Sequence, residues 1–410
     1  MAEEENFDVI VVGGGPGGST CATYLGKAGY KVLLLEKAKF PRDKTCGDAV
    51  SGKSVSVLRD FGLMDAIETQ PHEKVNGVLF SSPDATIVEI PFPSGYGGNK
   101  GFGYVCRREV FDNIVFQHSK KYATVLEQFQ VTDLIKENGY VVGVRCMDLN
   151  AKKEKTFRGR IIVGADGALS VVARKVNAEN TDPKHSCVAL RAYYKNIKGL
   201  TKNIEIHFIN SVLPGYFWIF PLENGTANVG VGMLTYDMQK RAINLKTSML
   251  EAIKNDPLFK ERFQGAELMS DIKGWTLPFG SKKVKCYGNG YVLLGDSASL
   301  IDPFTGEGIG NSMVSARIAS RVIDKALKAN DVSENNLKEY DVELWKELGP
   351  ELKTSYYLQK IGQHKFLLNL IIKKASKSKH VRETISGMLV NEQAKKQFVS
   401  PLFYLKLLFG

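Results

Sequence analysis

The sequence predicts an α/β chain, α+β overall. It comprises a parallel-sheet domain, an antiparallel-sheet domain interleaved with it, and a helical C-terminal region. Three observations carry this. Residues 7–36 open on a strand, a glycine run, a helix and a second strand. Apolar and polar residues alternate in stretches between about 176 and 275, as in a sheet with one covered face. From about 333 onward the pattern is helical and lysine-rich.

Phe7-Asp-Val-Ile-Val-Val12 is a β-branched run ending on glycines, which reads as a buried parallel strand. A helix from about Gly17 to Ala28 and a strand over Lys31–Glu36 complete a βαβ unit. Residues 40–53 read as loop and 53–70 as helix. Residues 76–104 read as short strands punctuated by Pro91, Pro93, Gly95, Gly97 and Gly98. Arg107 to about Lys121 has helical periodicity, with Val110, Ile114 and Val115 on one face, and strands then run to Gly164. In the middle block Ile204–Phe208 and Tyr216–Phe220 alternate, and 237–263 reads as a helical insert. Tyr291–Gly295 is another buried strand, followed by a glycine loop and a helix to about Ala329. The parallel-sheet domain is thus expected in three segments, 1–75, 105–175 and 276–332. The second domain takes 76–104 and 176–275, and the basic helical region 333–410.

Hydrophobic residues are 43% of the 410 and charged residues 24%, values of a globular protein. No run approaches 18 apolar residues, so no membrane-spanning helix is expected. The acidic start, Met1-Ala-Glu-Glu-Glu-Asn6, fits neither a signal nor a transit peptide, and the expected location is cytoplasmic. Six scattered cysteines form no C-x-x-C, and six histidines show no ligand spacing. Reduced thiols and no metal site are expected. The net charge is +11, and residues 351–410 hold eleven Lys/Arg against three acids. That suits an anionic partner. Charge alone speaks for nucleic acid, which is not expected.

Gly13-Gly-Gly15-Pro-Gly17-Gly18 satisfies G-x-G-x-x-G between a strand and a helix. Gly13 permits the turn, Gly15 lets a pyrophosphate approach the backbone, and Gly18 lets helix and strand pack closely. The helix N-terminus then faces the phosphates. Glu36 ends the second strand, where an acid accepts hydrogen bonds from ribose hydroxyls. Two later strands end similarly, in Gly164-Ala-Asp166-Gly167 and in Gly295-Asp296. The second leads to Pro303-Phe-Thr-Gly306-Glu-Gly308-Ile309-Gly310. In this order the motifs resemble the FAD-dependent enzymes of the p-hydroxybenzoate hydroxylase type. The resemblance implies a Rossmann-type FAD-binding domain and FAD as cofactor. It puts Asp296 on the ribityl chain, Gly308 and Ile309 at the pyrimidine end of the flavin, and Asp166 in the same site. Arg108, in Arg108-Glu-Val-Phe111-Asp112, is placed near the phosphates, with Arg107 a solvated neighbour, and Val131 beside the adenine.

Two further motifs are Lys44-Thr-Cys46-Gly47-Asp48-Ala49 and Tyr216-Phe-Trp218-Ile-Phe220-Pro221, the latter followed after eight residues by Gly230-Val-Gly232. Over residues 7 to about 330 the sequence resembles the geranylgeranyl reductase family, especially its archaeal members. The resemblance places Cys46, Gly47 and Ala49 beside the flavin. Many members carry Glu and Gly where this chain has Asp48 and Ala49. Tyr216, Trp218 and Phe220 share one face of a strand, as core or as the wall of an isoprenoid slot. The implied activity is FAD-dependent saturation of isolated C=C bonds in geranylgeranyl chains of archaeal-type ether lipids or their precursors. Cys46 and Asp48 are the candidate proton donors. The reductant stays open between NADPH, ferredoxin as an electron-donor protein, and coenzyme F420. The alternatives are a monooxygenase or halogenase of the same superfamily, and a non-catalytic flavoprotein. Phe366–Ile372, followed by Lys373 and Lys374, and Ser400–Phe409 are too short to span a bilayer. Both suit an anionic membrane surface, with peripheral attachment at the inner face of the cell membrane, and both equally suit packing on the protein's own domains or a dimer contact.

Overall fold

The computed structural model describes residues 6–93 and 101–388. The glycines at 95, 97 and 98 and the segment Ser400–Phe409 lie outside them. β1 (Asn6–Val12), α1 (Pro16–Lys27) and β2 (Val32–Glu36) form the expected βαβ unit. β2 is buried throughout, which is why it runs apolar without alternation. Next come β3 (Ala49–Val50), α2 (Gly52–Asp60), α3 (Met64–Glu68), β4 (Glu73–Val75), β5 (Gly77–Ser81), β6 (Ile87–Pro91) and β7 (Gly103–Val105). The single helix expected over 53–70 is two, parted where Gly62 takes φ +68. α4 (Arg108–Ser119) leads into β8 (Thr124–Glu127), β9 (Phe129–Glu137), β10 (Tyr140–Asp148), β11 (Lys153–Gly164) and α5 (Val171–Lys175). The middle block holds β12 (Ser186–Lys195), β13 (Asn203–His207), β14 (Tyr216–Pro221) and β15 (Thr226–Leu234). The insert expected over 237–263 is α6 (Thr235–Lys240) and α7 (Leu245–Asn255), then turns, before β16 (Glu267–Leu268) and β17 (Lys273–Pro278). β18 (Tyr287–Gly288) and β19 (Tyr291–Leu293) precede α8 (Ile309–Lys328), α9 (Glu334–Glu347), α10 (Gly349–Gly362), α11 (Lys365–Lys377) and α12 (Lys379–Met388).

Three sheets result among the described residues. In the first, β19, β11, β1, β2 and β8 run parallel, and β9 and β10 extend it by antiparallel pairing. Its core is shared with α1, α8 and α9. The second, in order β16-β12-β15-β14-β13-β5-β6 with β17 on β12, is antiparallel except where β13 meets β5. That parallel join arises because β5 and β6 come from the early segment and the rest from the middle block. The third is small: β3 and β4 flank β7. Gly103–Val105 therefore pairs with strands of the first 75 residues, not with the strands of 76–104. α11 lays Leu368, Ile372 and Ala375 against β6.

Candidate active site

One continuous cavity of 1180 Å³ runs between the first and second sheets, bounded at one side by α8 and α10. Its first end is built by the ends of parallel strands. Gly13 turns with φ +104, and a Cβ on Gly18 would sit 1.8 Å from the Gly13 carbonyl oxygen. A Cβ on Gly15 would meet only the Arg42 guanidinium, at 3.7 Å. The backbone there is open to the cavity, with Pro16 and Gly17 of the first helical turn lining it. These residues fit a dinucleotide pyrophosphate at a helix N-terminus.

Glu36 is 6% exposed. Its two carboxylate oxygens accept from Gly14 N–H at 2.8 Å and Ala38 N–H at 2.7 Å. Both bonds fix its orientation, and each oxygen keeps a lone pair for a ribose hydroxyl. Phe129, Gln130 and Val131 line the same end. Glu36→Ala is expected to weaken FAD by roughly 1–3 kcal/mol, because backbone donors are orphaned together with the ribose. Titrating apo-protein with FAD measures this, and unchanged affinity removes Glu36 from the site.

Arg108 lines the cavity, and its Nε and Nη2 form a fork on Asp112, at 2.6 and 2.8 Å. Only the rest of the guanidinium is left for a ligand. Burial works against its charge, yet Asp112 and Cys46 hold its pKa above the ordinary value. Arg42, missed in the sequence, donates to the same Asp112 Oδ2 at 2.7 Å. Burial opposes ionised Asp112, but Arg108 and Arg42 hold its carboxyl below the ordinary range. Arg107 is not a solvated neighbour. It pairs with Glu223 at 2.7 Å and lies over the Tyr193 ring.

Asp166 lines the cavity, but its carboxylate caps α5, accepting from Val171 N–H at 2.7 Å and from the Ser170 hydroxyl. Its side chain shapes the loop before it can serve a ligand. Asp296, Gly308 and Ile309 all line the cavity. The turn through Gly306, at φ +74, leads into the N-terminus of α8. Backbone hydrogen-bond donors at such a helix start suit negative charge on a reduced flavin.

The second end is apolar. Tyr216, Trp218 and Phe220 of β14 all line it. The register explains the spacing of the motif. Tyr216 pairs with Gly232 and Trp218 with Gly230 across the β14–β15 hairpin. A Cβ on Gly230 would come within 2.2 Å of the Trp218 ring, so the indole lies flat where a side chain would stand. Phe80, Ile204, Ile206 and Phe208 continue the wall. The alternation of Ile204–Phe208 was the signal for the last three of these.

The loop after β2 joins the two ends. A Cβ on Gly47 would lie 3.0 Å from the Phe220 ring. Cys46, Gly47, Asp48 and Ala49 line the cavity. Asp48 is fully buried, with φ +68. Its Oδ2 accepts from the Tyr193 hydroxyl at 2.8 Å and from Asn228 Nδ2 at 2.7 Å. Asn228 also donates to the Cys46 carbonyl at 2.7 Å and accepts from Trp218 Nε1 at 2.9 Å. The Asp48 Oδ1 has no hydrogen-bond partner among the described residues. Burial pushes the Asp48 carboxyl up to about 6, against the pull of Asn228, Arg191 and Tyr193. Tyr193, Asn228 and Arg191 were not foreseen. The signal was a polar residue inside an otherwise apolar strand.

A glycine-cradled nucleotide end, a second helix N-terminus and a buried slot between them define a flavoprotein with the FAD-binding fold. Residues 6–343 match the family described as FAD binding domain, and FAD is the cofactor. The chain is 35% identical over 365 residues to digeranylgeranylglycerophospholipid reductase 2 of Methanococcoides burtonii, covering 86% of this chain and 83% of that one. It is 31% identical over 367 residues to digeranylgeranylglycerophospholipid reductase of Methanocella arvoryzae, covering 87% and 88%. A geranylgeranyl bacteriochlorophyll reductase-like protein of Thermoplasma acidophilum superposes with TM-score 0.82 at 25% identity, over 97% of this chain and all of that one. The chain belongs to the geranylgeranyl reductase family of FAD-dependent oxidoreductases. Among the described residues no helix is long and apolar enough to cross a membrane.

Proposed function

We propose that this protein saturates isolated C=C bonds of geranylgeranyl chains in isoprenoid membrane lipids or their precursors. The observation that carries the reading is the continuity of the cavity, whose nucleotide end opens into a slot walled by Tyr216, Trp218, Phe220, Phe208 and Ile206. Reduced FAD, when bound, supplies a hydride at N5. The chain must then hold an unpolarised alkene, exclude water and deliver a proton to the neighbouring carbon. The aromatic wall does the first two. Asp48 is the proposed proton donor, since burial raises its pKa and its Oδ1 is uncommitted among the described residues. Cys46 stands beside it as the second candidate. Glu36, Arg108, Asp296, Gly308, Ile309 and the Gly13–Gly18 turn are the proposed cofactor contacts, with Asp166 acting through the loop it caps and Val131 beside the adenine.

The surface around the slot supports a membrane-borne substrate. Gly362 and Gln363 line the cavity where α10 ends. Immediately beyond, Phe366 is 68% exposed and followed by Lys373 and Lys374 of the same helix. Such a face suits an anionic bilayer surface. The test is anaerobic incubation of dithionite-reduced protein with a geranylgeranylated lipid in anionic vesicles, followed by mass spectrometry. Two hydrogens should be gained per double bond, at a rate that falls with added salt. No gain sinks the activity, and a salt-independent rate sinks the membrane contact.

A further inference from the structure

The carboxyl group of Glu307 is an acid that the proposed chemistry leaves unused. It belongs to the glycine turn before α8, is half-buried and lines the cavity. Its Oε1 accepts from Gly310 N–H at 2.5 Å, one of the donors that a helix start leaves without an intrahelical acceptor. A Cβ on Gly310 would lie 2.5 Å from the Ser51 Oγ and 3.0 Å from the same Glu307 oxygen. The turn, the start of α8 and the residues before α2 thus close around one acid. Glu307 is the chain's own anion at the helix N-terminus assigned above to the charge of reduced flavin.

That helix end carries only about half a positive charge. Lys53 of α2 faces Glu307, but its ammonium is held by Glu351 of α10 at 2.5 Å and by Asn311 Oδ1 at 2.8 Å. Arg317 of α8 is likewise taken by Glu347 of α9, at 2.9 Å. Asp302, buried in the same turn, faces Glu307 with like charge, and its Oδ2 has no hydrogen-bond partner among the described residues. On the other side a Cβ on Gly308 would come within 3.4 Å of Asp296 Oδ1, and the cation facing Asp296 is Lys44. Glu307, Glu351, Asp302 and Asp296 therefore stand against Lys53 and Lys44, and the surroundings of the turn hold no spare cation for a further anion. Burial already pushes the Glu307 carboxyl above its ordinary value, against the pull of Gly310 N–H, Lys53 and Ser51, and Asp302 adds to the rise. A second negative charge at the same helix end pushes it further in that direction.

We propose that Glu307 takes up a proton when the flavin is reduced and gives it up when the flavin is reoxidised, so that the reduced flavin keeps its negative charge at α8. The inference rests on the assignment of Gly308 and Ile309 to the flavin, and not on the identity of the lipid. Two electrons from an external reductant enter the flavin. One proton goes to N5 and the second to a Glu307 oxygen instead of N1. When a hydride leaves N5, the flavin returns to its neutral oxidised form and Glu307 to its carboxylate.

The test is the midpoint potential of the FAD-loaded protein measured against pH, with dithionite as reductant and no lipid present. Uptake of two protons per two electrons changes the reduction equilibrium a hundredfold per pH unit, about 60 mV, and uptake of one changes it tenfold, about 30 mV. The wild type should show a hundredfold window bounded on both sides by tenfold slopes. Glu307→Gln, whose amide oxygen still accepts from Gly310 N–H, should follow the tenfold slope throughout, meeting the wild type at low pH and lying above it at high pH. Glu307→Asp should restore the window. Reduced-minus-oxidised infrared spectra read the proton directly: a protonated carboxyl band should appear in the wild type and in Asp48→Asn, and be absent from Glu307→Gln. A window or band that survives in Glu307→Gln overturns the proposal, since N1 or Asp48 would then take the proton. So does a tenfold slope at every pH in the wild type, or loss of FAD from Glu307→Gln. An offset between the two proteins that is equal at every pH refutes proton uptake and leaves the flavin at α8, whereas coincident curves refute both. Failure to reduce any prenyl lipid would refute the proposed activity and leave this result standing.

Discussion

Asp48→Asn is expected to lower turnover of the prenyl substrate by about 10²–10⁴-fold, the usual contribution of a positioned general acid, with FAD still bound. The amide oxygen can still accept from Tyr193 and Asn228, so the loop should keep its shape. The pH dependence gives the sharper reading. A donor must start protonated, and burial pushes Asp48 up to about 6. Wild-type turnover should therefore fall as pH rises through about 6, and the variant should lack that limb. Stability moves the same way. The folded pKa lies above the unfolded value, so the stabilisation is fully present below about pH 4 and is lost as pH rises through about 6, a difference worth roughly 3 kcal/mol. The substituted amide cannot ionise, so the variant should be the more stable protein at pH 8 and lose that advantage by pH 4. Denaturation of both proteins at the two pH values checks this without any substrate. A rate and limb left intact in Asp48→Asn, but lost in Cys46→Ser, would move the donor to Cys46.

Trp218→Ala should produce the largest loss of stability of any wall substitution. The residue is 6% exposed, and truncating a buried Trp typically removes roughly 3–5 kcal/mol. The same change strips the donor from Asn228 Oδ1. Trp218→Phe separates the two effects, since it keeps an aromatic ring over Gly230 and loses only the hydrogen bond, at roughly 1–3 kcal/mol. In the Phe variant the FAD spectrum should persist while the number of bonds reduced per lipid changes. Denaturant unfolding of the loaded protein, paired with mass spectrometry of products, measures both. A Phe variant that loses stability but makes an unchanged product pattern would leave Trp218 as core alone.

The parallel sheet and its glycine turns were legible because each motif is contiguous, and a strand followed by G-x-G-x-x-G permits few geometries. Tyr216, Trp218 and Phe220 were legible as one face from alternation alone. What escaped was assembled across the chain. Arg191 and Tyr193 on β12 and Asn228 on β15 read as ordinary polar residues until the register sets them around Asp48. Arg107 and Arg108 could not be told apart by spacing either. The resemblance gave Arg108 to the phosphates, while the structure spends its fork on Asp112 and turns Arg107 inward toward Tyr193. The break near Gly62 was missed because apolar periodicity continues across it.

The contact between Gly47 and the Phe220 ring leaves 3.0 Å where a Cβ would be, so the loop proposed to meet the flavin and the wall proposed to meet the tail cannot be altered one at a time. A larger residue at 220 pushes the loop, and a side chain at 47 pushes the wall. Paired substitutions at such a contact are non-additive, by about 0.5–3 kcal/mol. A library that varies tail length selectivity through Phe220 alone will also scatter the colour and redox behaviour of the bound flavin. Selecting for a new tail while holding the cofactor constant calls for covarying the two positions from the first round.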